Sequence, residues 1–259
     1  MRKKLFKTIW TTIIIVLIGF SLTTCNKEDE TDPDGVKITS NKLGAHDGYN
    51  YEFWTDDRGA GSGSMTLTGN GSFFCRWDNT YNILFRMGKR YGSSETRNHT
   101  QIGNFSLEYG FSDYSPTGTS YVTVYGWTRN PLVEFYIVEN WGSNGYKGYS
   151  ANSHTKKGEI TVNGGTYDIY ESTRTNQPSI EGNKTFKQYW SIRRSARSSG
   201  TISISDHFKA WQNAGLNMTG GFYEVALCVE AYGGSARNAS GKANVHTNKL
   251  MVNGVEINK

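Results

Sequence analysis

The chain has 259 residues, and its 30 glycines, 14% aromatic content and only 4 prolines are typical of a sheet-rich protein with tight turns. Hydrophobic residues make up 36% of the sequence, which excludes an intrinsically disordered chain. The net charge of +5 falls to about +1 without the first 24 residues, which hold four basic and no acidic residues. A basic nucleic-acid-binding surface is therefore also excluded.

The first 24 residues have the organisation of an export signal. A region with four Lys and Arg residues precedes the apolar stretch 13–20, which is too short for a membrane span. Residues 22–25, Leu-Thr-Thr-Cys, resemble a bacterial lipobox, in which the cysteine becomes lipidated. We predict a signal peptide over residues 1–24, a lipidated Cys25 with a flexible tether over residues 25–36, and a protein anchored by lipid at the bacterial outer membrane or cell surface. In the alternative, the signal is an ordinary secretory one, the protein is secreted, and Cys25 has no role.

Eleven short segments rich in β-forming residues follow, mostly separated by Gly, Asn or Asp turn residues. The predicted strands are Ser64–Thr68, Ser72–Trp77, Ile83–Phe85, Ser106–Gly110, Ser120–Trp127, Pro131–Val138, Gly158–Val162, Thr166–Ser172, Lys187–Arg193, Gly200–Ser203 and Gly221–Ala231. One helix is predicted over Asp206–Ala214, with Ser205 as its N-cap and Gly215 as its stop. This pattern predicts a single all-β domain over residues 37–259, built as a two-sheet sandwich or jelly roll with one short helix.

Two cysteines, Cys75 and Cys228, remain in the predicted domain if Cys25 is lipidated. Both lie in predicted strands, and an even number of cysteines in an exported domain permits one disulfide. We predict a disulfide between Cys75 and Cys228. The alternative is two buried thiols that pack as small hydrophobic side chains.

Two isolated glutamates lie inside runs of β-forming residues. Glu134 lies within residues 130–141 and Glu230 within residues 225–233, and each is followed two residues later by a tyrosine. Burying a carboxylate in such a place is costly unless chemistry or pairing requires it. Two carboxyl groups that face one aromatic-lined cleft are what glycosidic-bond hydrolysis needs. The first hypothesis is therefore a hydrolase of a sugar polymer.

Strand alternation predicts which side chains share a face with the two glutamates. The sets are Tyr121, Thr123, Tyr125 and Trp127; Glu134, Tyr136 and Val138; Cys228, Glu230 and Tyr232; and Gln188 and Trp190. Phe135 and Ile137 point to the opposite face. If these sets line one concave sheet, they form a trough in which rings stack on sugars and phenols and amides bind sugar hydroxyls.

Longer motifs in order along residues 47–252 carry a resemblance to a known family. They are residues 53–56 (Phe-Trp-Thr-Asp), 75–82 (Cys-Arg-Trp-Asp-Asn-Thr-Tyr-Asn), 125–136 (Tyr-Gly-Trp-Thr-Arg-Asn-Pro-Leu-Val-Glu-Phe-Tyr), 165–170 (Gly-Thr-Tyr-Asp-Ile-Tyr), 177–182 (Gln-Pro-Ser-Ile-Glu-Gly), 188–191 (Gln-Tyr-Trp-Ser) and 229–232 (Val-Glu-Ala-Tyr). The chain resembles the glycoside hydrolase family 11 endo-β-1,4-xylanases, with residues 125–136 as the most specific match. The resemblance implies a β-jelly roll shaped like a partly closed right hand, with a thumb hairpin over the cleft, and no cofactor.

The resemblance also implies residue roles in a retaining double-displacement hydrolysis of internal β-1,4-xylosidic bonds in xylan. Glu134 falls at the nucleophile, Glu230 at the general acid/base, and Asn82 at the position that adjusts the acid/base pKa. The substrate-binding positions are Trp54, Tyr125, Trp127, Arg129, Tyr136, Arg174, Pro178, Gln188 and Tyr232. The implied partners are xylan and xylo-oligosaccharides, bound by a monomer that does not bind nucleic acid.

Two positions depart from the family pattern. Phe135 replaces the commoner Tyr after the nucleophile, and because alternation directs it away from the cleft we expect little effect. Ala231 replaces the usual Gly after the acid/base. Its Cβ is expected to shift the strand slightly, and with it the position of Tyr232.

Other acidic residues are assigned ordinary structural roles. Glu139, Asp168, Asp206 and Glu224 are predicted to be surface or capping residues, and His207 a packed structural histidine. No Cys/His/Asp cluster has metal-ligand spacing.

Two other functions stay open. A non-catalytic carbohydrate-binding lipoprotein on the cell surface would keep the aromatic trough, but it would not need both glutamates. A jelly-roll hydrolase of another β-1,4-glucan would need room for the CH2OH group that xylose lacks. The resemblance implies a narrow cleft under the thumb, which disfavours such a substrate.

Overall fold

The computed structural model describes residues 32–56, 58, 61–142 and 154–257. The predicted signal peptide, Cys25 and the tether up to residue 31 lie outside the described residues. No helix within the described ranges has both the length and the apolar character needed to cross a membrane. The described residues form almost entirely β-structure in two sheets, which confirms the predicted fold class.

Seven of the described strands form one sheet, which we call sheet A. In order across it lie β1 (Val36–Ile38), β4 (Ser62–Gly69), β5 (Ser72–Thr80), β15 (Ala239–Val252), β7 (Phe105–Ser112) and β13 (Ser199–Ile202), and β16 (Val255–Glu256) pairs with β15. Neighbouring strands are antiparallel throughout this sheet as described. One of its faces packs on the second sheet, and in β7 the buried residues Phe105, Leu107 and Tyr109 alternate with more exposed ones.

Nine described strands form the second sheet, sheet B. In order they are β10 (Thr155–Val162), β11 (Gly165–Gln177), β12 (Lys184–Arg193), β9 (Val133–Asn140), β8 (Thr119–Arg129), β14 (Gly221–Tyr232), β6 (Asn82–Arg90), β3 (Tyr49–Thr55) and β2 (Lys42–His46). β12 and β9 run parallel, and their register places Gln188 opposite Glu134 and Trp190 opposite Tyr136. Residues far apart in sequence are thereby brought into one row of the sheet.

Several hairpins of both sheets close through tight two-residue turns. Asn70 and Gly71 join β4 to β5, and Asn163 and Gly164 join β10 to β11. Both residues of each pair have positive φ, which the hairpin turn of type I′ requires and which Asn and Gly tolerate best. The turn predicted at residues 69–71 is confirmed, and such turns fix the register of the flanking strands.

The hydrophobic core lies between the sheets, and β9 shows how alternation divides the side chains. Val133, Phe135 and Ile137 belong to this core. Tyr136 and Val138 belong to a separate cluster on the other side of sheet B. The two faces predicted for this strand are therefore confirmed, including the orientation of Phe135 away from the cleft.

Helix α2 (Ile204–Asn213) packs its apolar side on this core. Phe208 and Trp211 are fully buried, and the ring of Phe208 lies 5.1 Å from that of Phe135. Full burial of a side chain of this size contributes about 1.5–3 kcal/mol. The indole of Trp211 donates a hydrogen bond to Ser191 Oγ at 2.8 Å, so its polar atom is also satisfied.

The start of α2 differs from the prediction. Its N-cap is Ser203, which makes no side-chain capping bond, and the predicted N-cap Ser205 lies within the first turn. Ser205 Oγ instead accepts a hydrogen bond from the backbone N–H of Phe105 at 2.8 Å, which ties the helix to β7. A further short helix, α1 (His99–Ile102), and a 3-10 turn (Gly234–Ala236) were not predicted.

Two of the acids predicted to lie at the surface are buried. Glu139 is 0% exposed, and Arg197 contacts its carboxylate. Glu224 is also buried, and it pairs with Arg86 and Arg90. Local sequence did not reveal these partners because they are distant in the chain. By contrast, His207 is fully buried, as predicted.

The predicted disulfide between Cys75 and Cys228 is wrong, since both are buried free thiols. Cys75 is on β5 of sheet A and belongs to the core between the sheets. Cys228 is on β14 of sheet B and belongs to the cluster on that sheet's other side. A disulfide requires Cβ atoms that point toward each other, whereas these two side chains are separated by the backbone of sheet B.

Candidate active site

A hydrophobic cluster covers the side of sheet B that faces away from sheet A, and we call this side the cleft face. Its buried members come from five strands and are Leu84, Tyr121, Tyr125, Trp127, Tyr136, Val138, Phe186, Trp190, Ile192 and Cys228. Residues 178–183 connect β11 to β12, and we call them the thumb tip. Ile180 of the thumb tip packs against the cluster, so this hairpin covers part of the cleft face.

Glu134 lies on the cleft face of β9 and is held by three neutral donors. The hydroxyls of Tyr125 and Tyr136 donate to its Oε1 at 2.7 and 3.0 Å. The amide of Gln188 donates to its Oε2 at 2.6 Å. Burial raises the pKa of Glu134, and these hydrogen bonds, which favour the ionised form, oppose that rise. Glu134 is thus a buried carboxylate with a fixed orientation.

Glu230 lies on β14 and has a different environment. Burial, and then the neighbouring charge of Glu134, raise the pKa of Glu230 to about 8, while a hydrogen bond with Tyr136 opposes the rise. Its Oε2 is buried and has no hydrogen-bond partner among the described residues. The carboxyl group therefore keeps its proton at neutral pH, beside a second carboxyl group that has three donors.

A second layer of residues orients the amide of Gln188. Ser172 Oγ donates to Gln188 Oε1 at 3.0 Å and accepts from Trp190 Nε1 at 3.2 Å. The Gln188 oxygen is thereby occupied, and its NH2 group is directed at Glu134. The ring of Trp190 also stacks on that of Tyr136, with centroids 3.7 Å apart. Strand alternation had placed Trp190 beside Gln188, but no sequence signal pointed to Ser172.

Trp54 and Asn82 lie at the opposite side of the cleft face from the thumb tip. Trp54 is opposite Leu84 on the neighbouring strand, and Leu84 is opposite Glu230, so the three share one row of sheet B. Asn82 is opposite Tyr232 at the start of β6. Its side-chain oxygen is buried and has no hydrogen-bond partner within the part of the chain that the structure describes. Both residues therefore flank Glu230.

Three other predicted binding residues lie at the rim. Arg174 and Pro178 are exposed on the hairpin that carries the thumb tip. The positive charge of Arg174 reaches both Glu134 and Glu230, whose pKa values it lowers. Tyr232 is 46% exposed on the other side, and its ring meets the edge of Tyr81 at 5.7 Å.

Two predicted substrate-binding residues, Trp127 and Arg129, contact other protein groups. Trp127 is buried, and its indole donates to the hydroxyl of Tyr125 at 2.6 Å. Arg129 Nε lies 2.6 Å from Glu181 Oε1 of the thumb tip, and its Nη1 donates to the carbonyl of Ser93 at 2.7 Å. Trp127 thus holds Tyr125 in place, and Arg129 anchors the thumb tip to the end of β8.

Comparison with known proteins places these residues in a family. The sequence profile described as Glycosyl hydrolases family 11 matches residues 46–244. Endo-1,4-beta-xylanase A of Thermoclostridium stercorarium is 51% identical over 218 residues, which cover 84% of this chain and 31% of that protein. Endo-1,4-beta-xylanase A of Bacillus pumilus is 50% identical over 215 residues, which cover 83% of this chain and 86% of that protein.

Solved structures agree with the sequence comparison. The wild-type ENZbleach xylanase superposes with a TM-score of 0.73 and 33% sequence identity, and the match covers 86% of this chain and 89% of that one. Several curated relatives are much longer than this chain, which spans 31%, 33% and 40% of the length of three of them.

Proposed function

The chain belongs to family 11 of the glycosyl hydrolases, and we propose that it is a monomeric endo-1,4-β-xylanase that cleaves xylan and xylo-oligosaccharides by a retaining double displacement. The unequal environments of Glu134 and Glu230 carry the proposal. Three neutral donors stabilise Glu134 as a carboxylate, whereas Glu230, with a pKa of about 8, holds a proton. A nucleophile and an acid with separated pKa values are what the reaction requires.

In the first step, a carboxylate oxygen of Glu134 attacks the anomeric carbon of the xylose unit. The bond between that carbon and the glycosidic oxygen breaks, and Glu230 gives its proton to the departing oxygen. The products are a xylosyl ester on Glu134 and a shortened chain with a new hydroxyl group. The buried Oε2 of Glu230 has no other hydrogen-bond partner among the described residues, so it is available for this transfer.

In the second step, the ionised Glu230 takes a proton from a water molecule whose oxygen attacks the same carbon. The ester bond breaks, Glu134 is released as a carboxylate, and Glu230 is again protonated. Esterification of Glu134 removes the negative charge that had raised the pKa of Glu230, so Glu230 acts as a base only in this step. Two inversions at one carbon retain the configuration.

The hydroxyl of Tyr136 supports the retaining course. It donates to Glu134, and a hydrogen bond with it also lowers the pKa of Glu230, so one phenol reaches both carboxyl groups. Retaining glycosidases hold their two carboxyl groups about 5–5.5 Å apart, whereas inverting enzymes need about 6.5–9.5 Å. A single hydroxyl that reaches both groups favours the shorter separation.

The test is hydrolysis of a soluble xylan by the full chain. We expect rapid loss of viscosity with the slow appearance of reducing ends, because an endo-enzyme cuts internal bonds. Proton NMR during the first minutes should show β-anomeric ends before mutarotation. Initial α-ends would refute the double displacement, and binding of xylan without release of reducing ends would favour a carbohydrate-binding protein.

Carboxymethylcellulose serves as the matched substrate, because its glucose units carry the CH2OH group that xylose lacks. A xylanase should release reducing ends from xylan at least about tenfold faster than from this glucan. Equal rates on both substrates would favour a broader β-1,4-glucan hydrolase. Glu108→Gln is the control for the glutamate variants, because Glu108 lies exposed on sheet A and pairs only with Lys249 among the described contacts.

We also propose that the protein is exported and anchored by a lipid on Cys25, or otherwise secreted. The basic start, the short apolar stretch 13–20 and the lipobox-like residues 22–25 support this proposal. In bacteria grown with an alkyne fatty acid, the wild-type chain should acquire the label and Cys25→Ser should not. Export of an unlabelled wild-type chain would instead favour the ordinary secretory signal.

A further inference from the structure

Four charged side chains form a cluster on the cleft face, two of them buried and two partly exposed, and we call them the charge cluster. Glu52 comes from β3, Arg86 and Arg90 from β6, and Glu224 from β14. Arg86 Nη2 lies 2.6 Å from Glu52 Oε2 and 2.9 Å from Glu224 Oε1. Arg90 lies 3.1 Å from Glu52 and 3.2 Å from Glu224. Each carboxylate thus contacts both guanidinium groups, and the four charges balance.

The register of sheet B leaves room for Arg86 beside the catalytic groups. Gly88, Ala226 and Tyr125 form one row across β6, β14 and β8. Gly88 and Ala226 have little or no side chain, so the guanidinium of Arg86 reaches the aromatic ring next to them. Its central carbon lies 4.8 Å from the centroid of the Tyr125 ring. A cation at this distance from a desolvated ring is attracted to its face.

Tyr125 connects the charge cluster to the nucleophile. Its hydroxyl donates to Glu134 Oε1 at 2.7 Å and accepts from Trp127 at 2.6 Å. The ring of Tyr136 meets it in a T-shaped contact at 5.1 Å. Arg86 adds a contact on the ring itself, so it helps to set the direction in which the Tyr125 hydroxyl points.

Stability alone does not account for the charge cluster. Arg86 and Glu224 are almost completely buried, and the desolvation of buried ions offsets much of what their pairing returns. Apolar side chains of similar volume would fill the same space without this cost. Arg86 lies opposite Cys228 on β14, two residues from Glu230, so its charge is close to that carboxyl group. This position is the feature that needs a functional explanation.

We propose that Arg86 is a positioning residue, which holds the ring of Tyr125, the donor to Glu134, and places a buried positive charge near Glu230. The expected effect on turnover rests on the proposed hydrolysis of xylan. The expected effect on the pKa of Glu230 does not rest on that hydrolysis, because it is present in the protein without substrate.

The charged and titratable groups that face Glu230 come from several strands. They are Glu134 and Tyr136 on β9, Arg174 on β11, Arg86 on β6, Cys228 on β14, and Tyr121, which is opposite Glu230 on β8. Burial and the charge of Glu134 raise the pKa of Glu230, whereas the charges of Arg174 and Arg86 lower it. Removal of the charge of Arg86 should therefore raise this pKa further and move the alkaline limb of activity to higher pH.

The experiment compares Arg86→Met, Arg86→Lys and the matched control Arg90→Met in the full chain. Both Met variants remove one positive charge from the charge cluster, but none of the described contacts joins Arg90 to Tyr125. Two readouts are taken: kcat/KM on an aryl β-xylobioside across pH, and the titration of Glu230 followed by carbon-13 NMR of labelled glutamate carboxyls.

For Arg86→Met we expect kcat/KM to fall about tenfold, as loss of a desolvated cation–π contact predicts, and the Glu230 titration to move to higher pH. Arg86→Lys should restore the titration but only part of kcat/KM, because the planar guanidinium is lost. Arg90→Met should lower kcat/KM less than threefold and shift the titration less. A merely structural role would lower thermal stability without moving the titration.

The inference is overturned if Arg86→Met leaves the Glu230 titration unmoved, or if Arg90→Met moves both readouts as far as Arg86→Met does. If Arg86→Met does not fold, Arg86→Lys provides the test. A kcat/KM below the wild-type value with an unchanged Glu230 titration supports the inference, and a wild-type kcat/KM overturns it. A wild-type chain that cleaves neither xylan nor the aryl xylobioside would refute the proposed function instead. The NMR titration of Glu230 would then still test whether the charge of Arg86 acts on that carboxyl group.

Discussion

Glu134 and Glu139 lie on the same strand, are both buried, and face opposite sides of sheet B. On the core side, Glu139 accepts hydrogen bonds from the hydroxyls of Tyr109 and Tyr167 and contacts Arg197 at 2.5 Å. On the cleft face, Glu134 is held by neutral donors and has a second carboxyl group beside it. The carboxylate paired with a cation serves the fold, whereas the carboxylate held by neutral donors can take part in chemistry.

The largest expected effect comes from Glu134→Gln. The amide cannot attack the anomeric carbon, so kcat on xylan should fall by about 10⁴-fold or more. The melting temperature should stay within about 4 °C of the wild type, because the amide is isosteric and keeps one acceptor for the hydroxyls that surround it. Reducing-end assays measure the activity and thermal melts the stability. A Glu134→Gln variant with full activity would refute the assignment of Glu134 as the nucleophile.

Glu139→Gln should produce the reverse pattern. It leaves Arg197 without its buried counter-charge, which should lower the free energy of unfolding by about 3 kcal/mol. Activity per folded molecule should change less than about twofold, since Glu139 faces away from the cleft. Denaturant unfolding and active-site titration separate the two quantities. Loss of activity in a stable Glu139→Gln protein would contradict the purely structural role assigned to Glu139.

We also expect acidic pH to lower the stability of the core around His207, and alkaline pH to lower the activity of the cleft face. His207 packs on Tyr167 in the core region, and burial, followed by the charge of Arg197, lowers the pKa of His207 from 6.5 to about 3. Between these values the unfolded chain binds a proton that the folded chain does not, so stability present above pH 6.5 is lost as pH falls. The expected loss is about 2 kcal/mol at pH 5.

His207→Phe should remove this acid sensitivity and leave the catalytic pH profile unchanged. On the cleft face, activity should fall as pH rises through about 8, because Glu230 loses the proton that the proposed first step requires. Urea unfolding between pH 5 and pH 8 and kcat between pH 5 and pH 10 measure the two effects. An acid sensitivity equal in His207→Phe and wild type would show that other groups cause it.

The smallest effect concerns the thumb tip. Arg129→Ala breaks the partly exposed pair with Glu181, which is worth about 0.5–1 kcal/mol, so KM for xylan should rise about threefold with little change in kcat. Glu181→Gln should have a smaller effect, because Arg129 keeps its bond to Ser93, and the double variant should match Arg129→Ala alone if the two act as a pair. A fall in kcat without a change in KM would instead assign Arg129 to the chemical step.

Strand alternation predicted much of the site from sequence. A period of two places Glu134 and Tyr136 on the face opposite Phe135 and Ile137, whatever strands lie beside them. The family resemblance then put Gln188 among the substrate-binding residues, and the parallel pairing of β12 with β9 brings it within a hydrogen bond of Glu134.

What the sequence did not predict depends on partners distant in the chain. Arg197 lies 58 residues from Glu139, so the local pattern around Glu139 contained no sign of burial or pairing. The wrong disulfide prediction has the same origin. Alternation predicts the face on which a side chain lies, but it does not predict which sheet contains the strand of Cys75. The charge cluster was missed because it forms only when β3, β6 and β14 lie side by side.

The absence of a bond between Cys75 and Cys228 has a practical consequence. Burial raises the pKa of both sulfurs, so the native protein presents neither of them as a reactive thiolate. Each becomes accessible only when its own sheet opens. The rates at which an alkylating reagent modifies the two positions therefore record how often sheet A and the cleft side of sheet B come apart. Equal rates at Cys75 and Cys228 would indicate that the two sheets open together, and unequal rates that they open in two stages.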